Sequence, residues 1–75
     1  MTIKKIIKMW LLTRPKGYQF GSHEIELNLV SFGQLYDELH TPGSYSRAWR
    51  ELRERSEVNI KEVKKDSAEK WFEII

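Results

Sequence analysis

Apolar residues recur three or four positions apart in three stretches of the chain, the spacing that places them on one face of an α-helix. The first stretch comprises Ile3, Ile6, Ile7, Trp10 and Leu11. Thr2 precedes it as a candidate N-cap, and Arg14-Pro15 follows it, where proline cannot continue a helix. The pattern therefore predicts a first helix over residues 3–13.

The second stretch comprises Phe32, Leu35, Tyr36 and Leu39. Ser31 and Gln34 stand three residues apart at its start. This is a capping-box pattern, in which the serine oxygen accepts a backbone N–H of the first turn. We therefore expect a second helix over residues 32–39.

The third stretch comprises Tyr45, Ala48, Trp49 and Leu52. It follows the sequence His40-Thr41-Pro42-Gly43, in which proline and glycine interrupt a helix. Thr41 and Ser44 are both suitable N-caps. We expect this third helix to extend to Arg55.

Strict alternation of apolar and polar residues, typical of a half-buried β-strand, occurs over residues 24–29. Its apolar face comprises Ile25, Leu27 and Leu29. Residues 58–63 and 70–75 are predicted as two further strands, joined into a β-hairpin by the polar residues 64–69. Residues 17–23 are predicted as a loop that could form a small hairpin with the first strand.

The composition predicts one small domain, residues 1–75. Three Trp, three Tyr and three Phe can supply a core, whereas the absence of cysteine excludes disulfides and thiolate metal sites. No apolar run is long enough to span a bilayer, so we expect a soluble, cytoplasmic protein.

Charge is distributed unevenly along the chain, although the net charge is only +2. Residues 1–16 carry five basic side chains and no acidic one, and residues 17–46 carry four acidic side chains and no Lys or Arg. Residues 47–75 carry eight basic and seven acidic side chains. Basic residues are thus concentrated in two regions of the chain, as expected for a protein that binds a polyanion with one face. The alternative is an ordinary surface of mixed charge.

The predicted order is helix, strand, helix, helix, strand, strand. Within it, SFGQLYDELHTPGSYSRAWRELRER (residues 31–55) combines a short capped helix, a turn with Gly43 and an Arg-rich helix. The hairpin VNIKEV–KKDSAE–KWFEII follows. In this order the chain resembles the winged helix-turn-helix domain, although residues 14–31 are longer than a minimal domain requires. The resemblance implies an α+β fold of three helices with a small antiparallel sheet, whose third helix enters the DNA major groove.

The third helix carries the predicted major-groove contacts. They are Ser44, Ser46, Arg47, Arg50 and Arg53. Arg47 and Arg50 fall opposite the apolar face, and arginine can bind the O6 and N7 atoms of guanine or a phosphate. The serines can donate to phosphates at the helix N-terminus. The alternative is a solvated helix, because Arg47–Glu51 and Arg50–Glu54 have the i,i+4 spacing of ion pairs.

Lys64 and Lys65 are predicted at the tip of the hairpin, where basic side chains can reach the minor groove or its phosphates. A solvated turn is the alternative, because Asp66 and Glu69 dilute the positive charge. The first helix carries a further basic face that could contact the DNA backbone, face water or lie on an anionic membrane. This face comprises Lys4, Lys5 and Lys8.

His23 and His40 lack the spacing of known metal ligands, and no nucleophile motif or Gly-rich phosphate loop is present. We therefore predict no enzymatic activity, metal, cofactor or small-molecule ligand. The expected partner is double-stranded DNA, bound as a homodimer that regulates transcription or replication, with the first helix and the last strand as candidate dimer surfaces. The alternatives are a protein–protein adaptor on the same fold and a module that binds RNA or single strands.

Overall fold

Three helices and three short strands form the fold in the computed structural model, which describes residues 2–75. They are α1 (Ile3–Leu12), β1 (Gln19–Gly21), α2 (Ser22–Gln34), α3 (Pro42–Glu54), β2 (Ile60–Val63) and β3 (Trp71–Ile74). The strands form one antiparallel sheet in the order β1-β3-β2, so the predicted α+β class is confirmed. No helix within residues 2–75 is long and apolar enough to cross a bilayer.

The predictions for α1, α3 and the β2–β3 hairpin are confirmed to within two residues at each end. The Thr2 hydroxyl caps α1 by accepting the N–H of Lys5 at 3.2 Å. The Thr41 hydroxyl caps α3 by accepting the N–H of Ser44 at 3.2 Å. Pro42 occupies the first turn of α3, where its missing N–H would have no partner within the helix.

The predicted strand over residues 24–29 is wrong, because these residues lie in α2. Ile25, Leu29 and Gly33 are buried on one helix face, whereas Leu27 is 69% exposed. Positions i and i+4 share a face in both a helix and a strand, so Ile25 and Leu29 fit either structure, whereas Leu27 at i+2 fits only the strand. The predicted hairpin between residues 17–23 and this strand is also wrong, since β1 pairs with β3 instead.

The predicted helix over residues 32–39 is wrong as well. Ser31 is an exposed residue inside α2 and does not cap a helix, and α2 ends at Gln34. The chain then turns, with Asp37 in the left-handed region at a φ of 56°, which an α-helix cannot continue. The apolar side chains expected in the core are exposed, namely Leu35, Tyr36 and Leu39.

Aromatic rings from the helices and the sheet meet at Phe20 of β1, which is fully buried. Its ring centroid lies 5.5 Å from that of Trp10 on α1, 5.7 Å from Trp49 on α3 and 5.9 Å from Phe72 on β3. Rings at these distances contribute beyond their buried area. The cluster fixes α1 and α3 against the sheet and thereby determines which face of α3 points outward.

Candidate nucleic-acid interface

The two faces of α3 differ sharply in environment. Its buried face comprises Tyr45, Ala48, Trp49 and Leu52. Arg47 and Arg50 are exposed on the opposite face, where the sequence pattern placed them. Two guanidinium groups therefore project from α3 away from the core.

The guanidinium of Arg47 has no ion-pair partner among residues 2–75, although Glu51 stands at the i+4 position. Glu51 is bound from α1, because its Oε2 atom lies 3.0 Å from Nζ of Lys4. The hydrogen bond and the charge of Lys4 lower the pKa of Glu51. Lys4 thus binds the carboxylate at i+4 from Arg47, and the Arg47–Glu51 ion pair considered from the sequence does not form, although the charge of Arg47 also lowers the pKa of Glu51.

Arg50 does form its i,i+4 pair, but loosely. Its Nε atom lies 4.0 Å from Oε1 of Glu54, and the two side chains are 63% and 68% exposed. Exposed pairs of this kind contribute little, since water and salt screen the attraction. An anion with two oxygens can therefore displace Glu54 from Arg50 at small cost.

Arg53, the third predicted arginine, does not project with the other two. Its guanidinium carbon lies 5.5 Å from the ring centroid of Trp49 and 4.7 Å from that of Phe72. Burial lowers the pKa of Arg53, which nevertheless stays cationic because arginine begins so far above neutral pH. Its contact in this structure is with the aromatic rings that join α3 to β3.

The two predicted serines lie in different environments. Ser44 belongs to the N-cap of α3: its hydroxyl oxygen is 3.0 Å from that of Thr41, and its N–H donates to the same Thr41 oxygen. Ser46 is half-buried two residues further along the helix. The capping contact leaves Ser44 exposed, so its hydroxyl can still accept or donate a second hydrogen bond.

The loop between β2 and β3, residues 64–70, carries the other predicted contacts. Lys64 is exposed, and Nζ of Lys65 lies 4.6 Å from the ring centroid of Trp71. Neither lysine forms an ion pair with any of residues 2–75. By contrast, Lys61 lies 3.3 Å from Glu73 and Lys70 lies 3.9 Å from Glu62, so the flanking lysines both face carboxylates.

Glu73 lies between two donors on the outer face of the sheet. The amide of Gln19 donates to its Oε1 atom at 2.8 Å, and Lys61 contacts its Oε2 atom. The hydrogen bond from Gln19, followed by that from Lys61, lowers the pKa of Glu73. These contacts tie β1 and β2 to the central strand β3.

Glu69 anchors the loop to α2, a role that the sequence did not reveal. Its Oε2 atom accepts the N–H of His23 at 2.8 Å, and the N–H of Ser22 donates to the carbonyl of Lys70 at 2.9 Å. Gly21, the N-cap residue of α2, has no side chain to do this. A partner 46 positions away leaves no local sequence signal. The anchor fixes the base of the loop that carries Lys64 and Lys65.

The structure therefore exposes cations on α3, which packs against β3 through Trp49 and Phe72, and on the loop that joins β2 to β3. Such groups bind phosphate oxygens and the acceptor atoms of guanine.

Among residues 2–75, no three His, Asp or Glu side chains lie close enough together to form a metal site. His40 instead contacts Glu38 at 3.3 Å. Comparisons of the chain with protein-family models, curated proteins and solved structures found no match.

Proposed function

We propose that this protein is a winged helix-turn-helix regulator of transcription or replication that binds double-stranded DNA with α3 in the major groove. The observation that carries the proposal is the outward face of α3. There Arg47 and Arg50 are exposed, and Lys4 binds the carboxylate of Glu51 that would compete for Arg47. A helix with two accessible arginines in its first three turns suits base-edge readout, because each can contact guanine through two hydrogen bonds.

The loop between β2 and β3 supports the same proposal as the wing. Lys64 and Lys65 are its cations without carboxylate partners among residues 2–75, and Glu69 holds the base of the loop in place. The element order α1-β1-α2-α3-β2-β3 also agrees with the order implied by the resemblance, with β1 at Gln19–Gly21 as its first strand. Contacts from this loop to phosphates would add affinity without sequence preference.

The test is a fluorescence-anisotropy titration of a labelled random-sequence duplex at low and at physiological ionic strength. We expect binding that weakens steeply with salt, because each phosphate contact releases counterions. The Arg47→Ala/Arg50→Ala variant should bind at least about tenfold more weakly. The matched control is Lys61→Ala/Lys70→Ala, which removes the same charge at exposed positions outside α3 where the ammonium groups already face Glu73 and Glu62, and it should bind within about threefold of the wild type.

Equal losses in the two double variants would show that only overall charge matters and would contradict α3 as the recognition helix. Absence of binding to the duplex even at low ionic strength would overturn the proposal. The protein-adaptor alternative would then be favoured, since the turn after α2 exposes Leu35 and Leu39. Tighter binding to a single-stranded competitor would favour the third alternative.

A further inference from the structure

The turn after α2 exposes an acidic apolar segment, residues 35–39. Leu35 is 77% exposed and Leu39 is 81% exposed, with Tyr36 between them in the chain. The segment also contains Asp37 and Glu38, which give it a charge of −2. Neighbouring exposed apolar side chains with a charged rim are typical of a surface that contacts another protein.

An apolar groove opens between the C-terminal end of α1 and the adjacent ends of β2 and β3. Its apolar lining comprises Leu11, Leu12, Val58, Ile60, Ile74 and Ile75. Leu12, at its edge, is 85% exposed. The groove lies between α1 and β3, the two elements predicted from the sequence as candidate dimer surfaces.

The rim of this groove carries positive charge, whereas the 35–39 segment carries negative charge. It includes Lys8, Arg14 and Lys16. Lys8 contacts Glu57 at 3.4 Å, but Arg14 and Lys16 have no carboxylate partner among residues 2–75. The guanidinium of Arg14 instead lies over the rings of Trp10 and Tyr18, at 5.2 and 5.3 Å from their centroids. Two positive charges therefore remain beside the apolar floor.

We propose that the groove of one copy of the protein binds the 35–39 segment of a second copy. Leu35 and Leu39 would cover the apolar floor, and the exposed Asp37 between them would face Arg14 and Lys16, while Glu38 keeps its contact with His40. Both the apolar surfaces and the charges are complementary, and the occupant is a segment already present in the chain. The contact does not depend on DNA binding.

This contact joins two different surfaces of the chain, so two copies can exchange it in one direction or in both. Two copies that each place their 35–39 segment in the other's groove close a two-fold dimer, whereas exchange in one direction leaves a groove and a segment unoccupied and continues into a ring or a chain. Both modes require an intact groove and an intact segment.

Analytical ultracentrifugation over about a hundredfold range of protein concentration tests the proposal. The average mass of the wild type should rise from that of a monomer to that of a dimer or more as concentration increases, and fall when salt is added. The segment variant Leu35→Ser/Leu39→Ser and the groove variant Leu12→Ser/Lys16→Glu should each stay monomeric. All four side chains are exposed, so the variants should keep the circular dichroism spectrum of the wild type.

The decisive sample is an equimolar mixture of the two variants. One intact groove and one intact segment remain between them, so the mixture should form a dimer and grow no further. The control Leu27→Ser removes an exposed leucine of α2 outside both surfaces and should assemble like the wild type. A monomeric wild type at every concentration, or a mixture that stays monomeric while the wild type associates, would overturn the proposal.

Discussion

Lys4 affects the ion pairing of Arg47, a side chain with which it has no direct contact. It lies on α1, yet its ammonium binds Glu51 on α3, the carboxylate one turn beyond Arg47. A carboxylate at i+4 attracts an arginine on the same helix by a few tenths of a kcal/mol. Because Glu51 pairs with Lys4, it does not form an ion pair with Arg47. The basic face of α1 therefore acts on α3 through a contact within the molecule.

Replacement of Lys4 by glutamine tests this contact. The pKa of Glu51 should rise toward its ordinary value, because the variant loses the hydrogen bond and the charge that lower it. A carboxyl with a lowered pKa stabilises the fold above its unfolded-state pKa, and this contribution is lost as pH falls through the folded-state value. The wild type should consequently lose more stability on acidification than the variant. Carboxyl-carbon NMR titration measures the pKa directly.

The control for this titration is Lys8→Gln, which breaks the contact with Glu57 and should leave the pKa of Glu51 unchanged. In the DNA titration, Lys4→Gln should weaken binding about twofold, since Arg47 can then pair with Glu51. Adding Glu51→Gln should restore affinity by more than the same change does in the wild type. Equal effects in the two backgrounds would contradict a competition between Lys4 and Arg47 for Glu51.

The helix α2 depends on another element for its N-terminus. Its N-cap residue is Gly21, and the missing hydrogen-bond acceptor is the carboxylate of Glu69 from the β2–β3 loop. A Cβ atom at Gly21 would lie 2.6 Å from Oε1 of Glu69, so glycine leaves the space that the carboxylate occupies. An acidic group at this end of a helix also interacts favourably with the helix dipole. Helix and loop are therefore coupled through this contact and through the hydrogen bond from the N–H of Ser22 to the carbonyl of Lys70.

Glu69→Ala should lower the free energy of unfolding by about 1 kcal/mol, the usual effect of losing an N-cap acceptor. Gly21→Ala should have a similar effect, because the methyl group displaces the same carboxylate. The double variant should lose less than the sum of the two, since both changes remove one contact. Urea denaturation measures these values, and faster hydrogen exchange at the His23 amide would localise the loss.

Asp66→Ala is the matched control, because Asp66 is an exposed acidic residue in the same loop. It should change the unfolding free energy by less than about 0.5 kcal/mol. If Glu69→Ala behaved like Asp66→Ala, the loop would not be capping α2. Full additivity in the Gly21/Glu69 cycle would likewise contradict a shared contact.

Across the molecule, stability depends on one aromatic cluster that involves three elements of secondary structure besides β1. Phe20 contacts Trp10, Trp49 and Phe72 from a strand of only three residues. A chain of 75 residues buries a modest core, so a single large side chain contributes a large fraction of the buried apolar surface. The same cluster keeps the outward face of α3 in place, which links the core to the proposed interface.

Phe20→Ala should remove about 3–5 kcal/mol of stability, because it deletes a fully buried ring and leaves a cavity among three others. A domain of this size has roughly 0.05–0.15 kcal/mol of stability per residue, about 4–11 kcal/mol for 75 residues, so the variant should lose a large fraction of its stability and unfold at a much lower urea concentration. Leu27→Ala, at an exposed position, is the control and should change stability by less than about 0.5 kcal/mol. A loss below about 1 kcal/mol for Phe20→Ala would contradict its central position.

Features that depend on neighbours in the sequence could be predicted from it. The bounds of α1 and α3, the caps Thr2 and Thr41, and the outward direction of Arg47 and Arg50 all follow from interactions within about four residues. The same local reasoning placed Lys64 and Lys65 in a loop between two paired strands. These are the parts of the candidate interface for which sequence and structure agree.

Features that depend on distant residues required the packed structure. Ile25 and Leu29 fit both periodicities, and the helix forms because these two residues and Gly33 pack toward α3, where a Cβ at Gly33 would overlap the Tyr45 hydroxyl. The partners Lys4–Glu51 and His23–Glu69 stand more than forty positions apart. Periodicity and capping motifs are short-range signals, so they cannot choose between a strand that buries Ile25, Leu27 and Leu29 and a helix that buries Ile25, Leu29 and Gly33. That choice is made when the elements pack, since burial and hydrogen bonding then depend on the whole chain.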